Sequence, residues 1–159
     1  MREIIIEPRV FLERGGDVIV DYEHETHTVD GLEFHKVVIE NTTGSPISVN
    51  RIQLFDVVLR ESEVQVFRQG FRMPSDQSGF FRLSAGETPP LESNWRFPWL
   101  AEDEFSSHSV AVLKRGDSGP LTLLGFTTFN DFESYFSFDT SGETIRVKAF
   151  CVLNGIILE

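Results

Sequence analysis

The chain has 159 residues, with 40% hydrophobic and 25% charged residues and a formal net charge of -11. That length suits one domain able to fold on its own core, without a metal or disulfide. The acidic balance excludes a nucleic-acid partner and an anionic membrane surface, because both need clustered Lys and Arg.

The N-terminus, MREIIIEPRV, has three consecutive apolar residues before Glu7 and Pro8. It lacks the apolar run of a secretory signal. No segment approaches the ~20 apolar residues of a membrane span. A cytoplasmic protein is therefore expected. Cys151 is the only cysteine, so no internal disulfide and no Cys-rich zinc pattern can form.

Period-2 alternation then dominates. Arg14-Gly15-Gly16-Asp17 reads as a turn, and Val18, Val20 and Tyr22 alternate with Asp17 and Asp21. His24-Glu25-Thr26-His27 raises a metal reading. Positions i and i+3 of a strand face opposite ways, however, and the spacing matches no known ligand pattern, so no metal is expected. Val37 and Ile39 share a face beside Lys36 and Glu40. Asn41-Thr42-Thr43 spells a glycosylation sequon; without a secretion signal it reads as a polar turn running into Gly44-Ser45-Pro46.

Ile52, Phe55 and Leu59 fit helical spacing, but Val57, Val58, Val64 and Val66 are β-branched and favour strand. Strand is the reading adopted. The run continues into Arg68-Gln69-Gly70-Phe71-Arg72, which places an aromatic ring and a guanidinium on a loop straight after a strand. From Met73 to Phe105 little periodicity is found. This stretch carries Pro74, Pro89, Pro90 and Pro98 and both tryptophans, Trp95 and Trp99. Long irregular stretches in a compact domain are usually functional or pack as excursions.

Val110 and Val112 alternate with Ser109 and Ala111. Arg115-Gly116-Asp117-Ser118-Gly119-Pro120 contains an RGDS and a near match to a serine-protease nucleophile motif. No partnered His and Asp signature accompanies it. A hairpin turn between strands at 109–115 and 120–127 is the expectation. Leu123 to Asp139 then gathers Phe126, Phe129, Phe132, Tyr135, Phe136 and Phe138. Sandwich core is expected, with some rings on an outer face because alternation cannot bury them all on one side. Asp139-Thr140-Ser141 is a near miss to the aspartic-protease motif, which needs two such carboxylates sharing a proton; a turn is expected. Finally Ile145, Val147, Ala149 and Cys151 alternate with Thr144, Arg146 and Lys148. Strands and turns at this spacing predict an all-β, antiparallel β-sandwich spanning residues 1–159.

Three pieces also line up in order: Val66-Phe67-Arg68-Gln69-Gly70-Phe71-Arg72, His108-Ser109-Val110-Ala111-Val112-Leu113, and Leu123-Leu124-Gly125-Phe126 leading to Ile145-Arg146-Val147-Lys148-Ala149. In that order they resemble the N-terminal β-supersandwich domain of family 36 glycoside hydrolases, the α-galactosidase and raffinose-synthase-like group. The resemblance covers residues 15 to 159. It implies a non-catalytic domain preceding a (β/α)8 barrel that carries two catalytic aspartates, so this chain alone has no catalytic residues. It implies as partners the catalytic barrel and an α-galactoside sugar, with a homo-oligomer open. No cofactor is implied. In such enzymes the loop after this strand reads Gly-aromatic-Gln-Ser-Trp-Ser. Gly70, Phe71 and Ser75 match, whereas Arg72, Met73 and Pro74 depart. Phe71, Arg72, Trp95 and Trp99 are thereby the candidates for the substrate or barrel edge. The alternative is a freestanding carbohydrate-binding or assembly module.

Overall fold

The fold comes from a computed structural model, which describes residues 4–18, 20–70, 78–89, 105–116, 118–127 and 132–159. Among these residues every regular element is a strand. In chain order they are β1 (Arg9–Leu12), β2 (Asp17–Val18), β3 (Asp21–Val29), β4 (Leu32–Glu40), β5 (Ile47–Val58), β6 (Glu63–Arg68), β7 (Gly79–Ser84), β8 (Phe105–His108), β9 (Val110–Lys114), β10 (Leu121–Gly125), β11 (Glu133–Asp139) and β12 (Arg146–Leu158). No helix long and apolar enough to cross a membrane is found among the described residues.

All strand pairings are antiparallel. β2-β1-β5-β12-β11-β8 form a six-stranded sheet, and β10-β9-β6-β7 form a four-stranded one. The protein is thus an all-β, antiparallel β-sandwich. Its core is the interface between the two sheets. Phe55, Val57, Phe105, Phe136, Phe138, Val147 and Ala149 of the larger sheet meet Val64, Val66, Leu83, Ala111, Leu113 and Leu124 of the smaller. A second cluster of Val10, Val20, Val49 and Ile52 lies toward the other end of the larger sheet. Burial of this kind contributes ~25 cal/mol per Å² of apolar surface, which makes the inter-sheet layer the main source of stability.

The alternation at 145–151 appears as expected: Ile145, Val147, Ala149 and Cys151 are buried, while Arg146 is exposed and Lys148 partly so. The helical spacing of Ile52 and Phe55 has a different origin. Opposite β12 the register jumps, with Ala149 against Phe55 and Phe150 against Gln53. Leu54 is the extra residue of a β-bulge, which shifts the phase and brings Ile52 and Phe55 to one face.

Three expectations need correction. The stretch from 73 to 105 is not wholly irregular, because β7 lies inside it. Gly79-Phe80-Phe81-Arg82-Leu83 alternates, with Leu83 buried against the core and Phe80 and Arg82 exposed. On β9 the core face is Ala111 and Leu113, so Val110 and Val112 face outward. The 17–22 run is shared between two sheets, with Val20 outside any strand: Val18 pairs with Val10 in the larger sheet, and Tyr22 belongs to the β3–β4 hairpin.

One residue carries the chain from one sheet to the other. β8 ends at His108 and β9 begins at Val110, with Ser109 between them at a φ of 56°. Such a conformation is costly for a residue with a side chain and persists only where its surroundings hold it. Here the Ser109 amide donates to Ser134 O at 2.9 Å, and its carbonyl accepts from the Phe126 amide at 3.0 Å. The hydroxyl of Ser107 accepts from the Gln69 amide and donates to Val110 O.

β3 and β4 form a separate two-stranded ribbon. Its Asp30-Gly31 tip has φ values of 51° and 80°, both left-handed, the tight turn that matches strand twist. Val37 and Ile39 pack against the two core clusters, and Tyr22 Oη donates to Ile6 O at 3.1 Å. All of β3 is exposed.

Candidate functional site

Phe71, Arg72, Trp95 and Trp99 lie outside the described residues, as does Phe129. Phe71 and Arg72 fall in the chain between β6 and β7. The two described ends of that connection are tied, since the Gly70 amide donates to Ser78 Oγ at 3.0 Å.

Two surfaces stand out among the described residues. The first is the outer face of the four-stranded sheet. Leu123 pairs with Val112, Val112 with Phe67, and Phe67 with Phe80. These four side chains form an apolar stripe crossing every strand of the sheet, with Leu123 60% and Phe80 64% exposed. Phe67 and Phe80 meet edge-on, with ring centroids 5.3 Å apart. The stripe lies one residue pair from the end of the β6–β7 hairpin that leads toward Phe71. A contiguous apolar band is informative where a scattered exposed Leu is not.

The second surface is the outer face of the six-stranded sheet. A groove of about 680 Å³ runs along it, bounded on one side by residues 86–89. Strand alternation places Arg9 and Phe11 of β1, Arg51 and Gln53 of β5, Lys148 and Phe150 of β12, and Tyr135 and Ser137 of β11 on this face. Arg51 is the centre of the arrangement. Its Cζ lies 5.2 Å from the Phe11 ring centroid and 4.8 Å from that of Phe150, and Nη1 donates to Tyr135 Oη at 2.9 Å. Tyr135 and Phe150 stack at 4.9 Å. Both rings are buried; Tyr135 is thus one of the aromatic set that lies on an outer face, whereas Phe136 and Phe138 are in the core between the sheets. The wall is tied down as well: the Gly86 amide donates to Thr140 O at 2.7 Å, and Thr140 Oγ1 donates to Glu87 O at 2.6 Å.

Charges around the groove are largely paired. Arg146 bonds Asp56 through two nitrogens at 3.1 and 2.8 Å. Asp139 accepts from the hydroxyl of Ser141 at 2.7 Å and from its amide at 3.0 Å. Those two bonds, with Lys148 and Arg146 nearby, hold its carboxyl below the usual carboxylate range. That direction is wrong for a general acid, which needs a raised value. The Asp139-Thr140-Ser141 segment is the turn between β11 and β12, as expected.

The direction also fixes a pH dependence. A folded-state value below the ordinary 3.8 stabilises the fold above that pH, and the contribution is lost as pH falls through the lower value. Burial likewise lowers His108 from 6.5, so the fold loses stability earlier, as pH falls below that point. Denaturation midpoints measured down the acid range should fall in two stages. Asp139→Asn should make the loss below pH 3.8 smaller and leave the loss below pH 6.5 unchanged.

The other motifs resolve as structure. The Arg115–Pro120 segment connects β9 to β10, with Lys114 opposite Leu121. Asn41 Oδ1 accepts from the Thr43 amide and hydroxyl, a polar turn. Burial pushes the Cys151 thiol up to about 12, so it is not a nucleophile. It should resist a thiol reagent in the native state at neutral pH and react fully in denaturant; fast native labelling would contradict this burial. His24 and His27 do face opposite ways: His27 stacks on Phe34, and His24 turns to His35. Sequence inspection missed His35 because its neighbour lies on the other strand. Among the described residues no group of three or more His, Cys, Asp or Glu side chains could hold a metal ion.

Comparison of the chain with family models, with curated proteins and with solved structures gives no match in any of the three.

Proposed function

We propose that the chain is a non-catalytic accessory β-sandwich of the kind the family 36 resemblance implies, docking on a catalytic barrel through the outer face of its four-stranded sheet. The apolar stripe of Leu123, Val112, Phe67 and Phe80 carries this reading. Inter-domain surfaces are built from such aromatic and aliphatic bands, and the stripe sits at the end of the sheet that leads toward Phe71 and Arg72. A cytoplasmic location belongs to the same proposal and is consistent with a lone, buried thiol.

The test begins with the coding sequence beyond the codon for Glu159. A frame continuing into a barrel-sized domain supports the reading, and a stop codon there overturns it. In the longer protein, Phe80→Asp and Leu123→Asp should lower thermal stability and galactoside turnover. The same substitutions should leave the isolated sandwich folded.

A second reading, a carbohydrate-binding module, is favoured by the groove on the opposite sheet. Gln53 and Lys148 line it beside Phe11, a combination of polar groups and a ring suited to hydroxyl-rich ligands. Titration with galactose and raffinose, followed by backbone amide NMR, should move the Gln53 and Lys148 signals. An unmoved spectrum at saturating sugar would remove this reading.

A further inference from the structure

The β3–β4 ribbon gathers three donor atoms that no pairing requirement of the hairpin explains. Its register sets Thr26 opposite His35 and His24 opposite Val37. His24, Thr26 and His35 therefore share one face, with the two histidines diagonal to each other. His24 Nε2 lies 2.9 Å from His35 Nδ1, and Thr26 Oγ1 lies 3.1 Å from the first and 3.4 Å from the second. The far nitrogen of His35, Nε2, is 2.8 Å from Glu33 Oε1.

The Glu33 contact assigns the tautomer. A carboxylate only accepts, so His35 Nε2 carries the proton and Nδ1 presents a lone pair toward His24. A carboxylate on the outer nitrogen is also the arrangement that orients metal-bound imidazoles and raises their basicity. Two nitrogens at ~2.0–2.1 Å from one ion stand about 2.9 Å apart in right-angled coordination and about 3.4 Å apart in tetrahedral coordination. The observed spacing matches the right-angled case.

We propose that His24 Nε2 and His35 Nδ1 form a two-imidazole site for a late first-row divalent cation, Cu(II) above all, with Thr26 Oγ1 beside it and Glu33 orienting His35. The ion takes the place of the proton shared between the two rings. That proton moves to His24 Nδ1, so both imidazoles stay neutral and the remaining coordination positions belong to solvent. Cu(II) is favoured because it heads the affinity order for nitrogen ligands and prefers tetragonal geometry. His24 is exposed and His35 half-buried, so the site is open to ions from solution. The chain's overall negative charge adds a long-range attraction.

The experiment is titration of the chelator-stripped chain with Cu(II) alone, read by calorimetry and by electron paramagnetic resonance. One ion per chain is expected at the tightest step, with a spectrum showing two nitrogen ligands. His24→Ala and His35→Ala should each weaken that step at least ~10-fold, and Glu33→Gln should weaken it ~10–100-fold by freeing the His35 ring. His27→Ala, on the opposite face, should leave it unchanged. Circular dichroism checks that each variant remains folded; for any variant that does not, paramagnetic broadening of the wild-type amide spectrum decides. Broadening confined to β3 and β4 supports the site. Binding that survives loss of both His24 and His35, or broadening centred elsewhere, overturns it.

Discussion

Phe105→Ala should cost about 3–5 kcal/mol of folding free energy, read as a lowered midpoint in urea. Phe105 is fully buried at the start of β8, the edge strand of the larger sheet. Its ring packs edge-on against Phe81 of the smaller sheet at 5.4 Å and against Phe138 of its own sheet at 5.9 Å. The Arg68 guanidinium carbon lies 5.0 Å from the ring centroid. Truncation therefore opens a cavity between the sheets and strips a buried cation of the ring it lies over. Phe80→Ala removes a similar ring from the exposed stripe and should cost under about 1 kcal/mol. If the two variants lost equal stability, the sandwich interface would not lie where β8 and β7 place it.

Arg51→Ala should be the next largest loss, about 2–3 kcal/mol, from two stacking contacts and one hydrogen bond to a buried tyrosine. Arg51→Met keeps the aliphatic stem against Phe11 and Phe150 and should recover part of the loss. The partners are neutral, so the cost should be nearly the same at low and high salt. Removing the Arg146–Asp56 pair makes the contrast: it is half-exposed, and its smaller contribution should shrink as salt is added. A strong salt dependence at Arg51 would mean that it serves an acidic partner instead of the rings.

Much of the sandwich is legible in the residues themselves. Period-2 alternation at 145–151, Val37 with Ile39, and the turn chemistry at Gly15-Gly16, Gly44-Ser45-Pro46 and Ser141-Gly142 place strands and connections correctly. What escapes is whatever depends on a second segment. The bulge at Leu54 imitates a helical spacing because an inserted residue and a 3.6-residue turn shift the hydrophobic phase alike. β7 hides inside a proline-rich stretch because its signal is short. Tyr135 and Phe150 are buried on the outer face of a sheet, which alternation alone assigns to solvent. The pairing of His24 with His35 needs the register set at Asp30-Gly31. The stripe of Leu123, Val112, Phe67 and Phe80 likewise assembles from four strands, and no one of them reads as a surface.

The middle of the larger sheet is made by β5 and β12, so residues 47–58 are zipped to residues 146–158, with Ile52 opposite Cys151. During synthesis the hairpins β3–β4, β6–β7 and β9–β10 can close as soon as each is made, since their partners are near in sequence. β5 cannot. The edge that faces β12 stays open until β12 has left the ribosome, and contacts so far apart in the chain slow folding. While residues 59–145 are being made, the nascent chain therefore carries a long, partly apolar strand edge unpaired, the state most prone to joining a neighbouring chain. Chains cut short before residue 146 should collect in aggregates, even though most of their strands are already present.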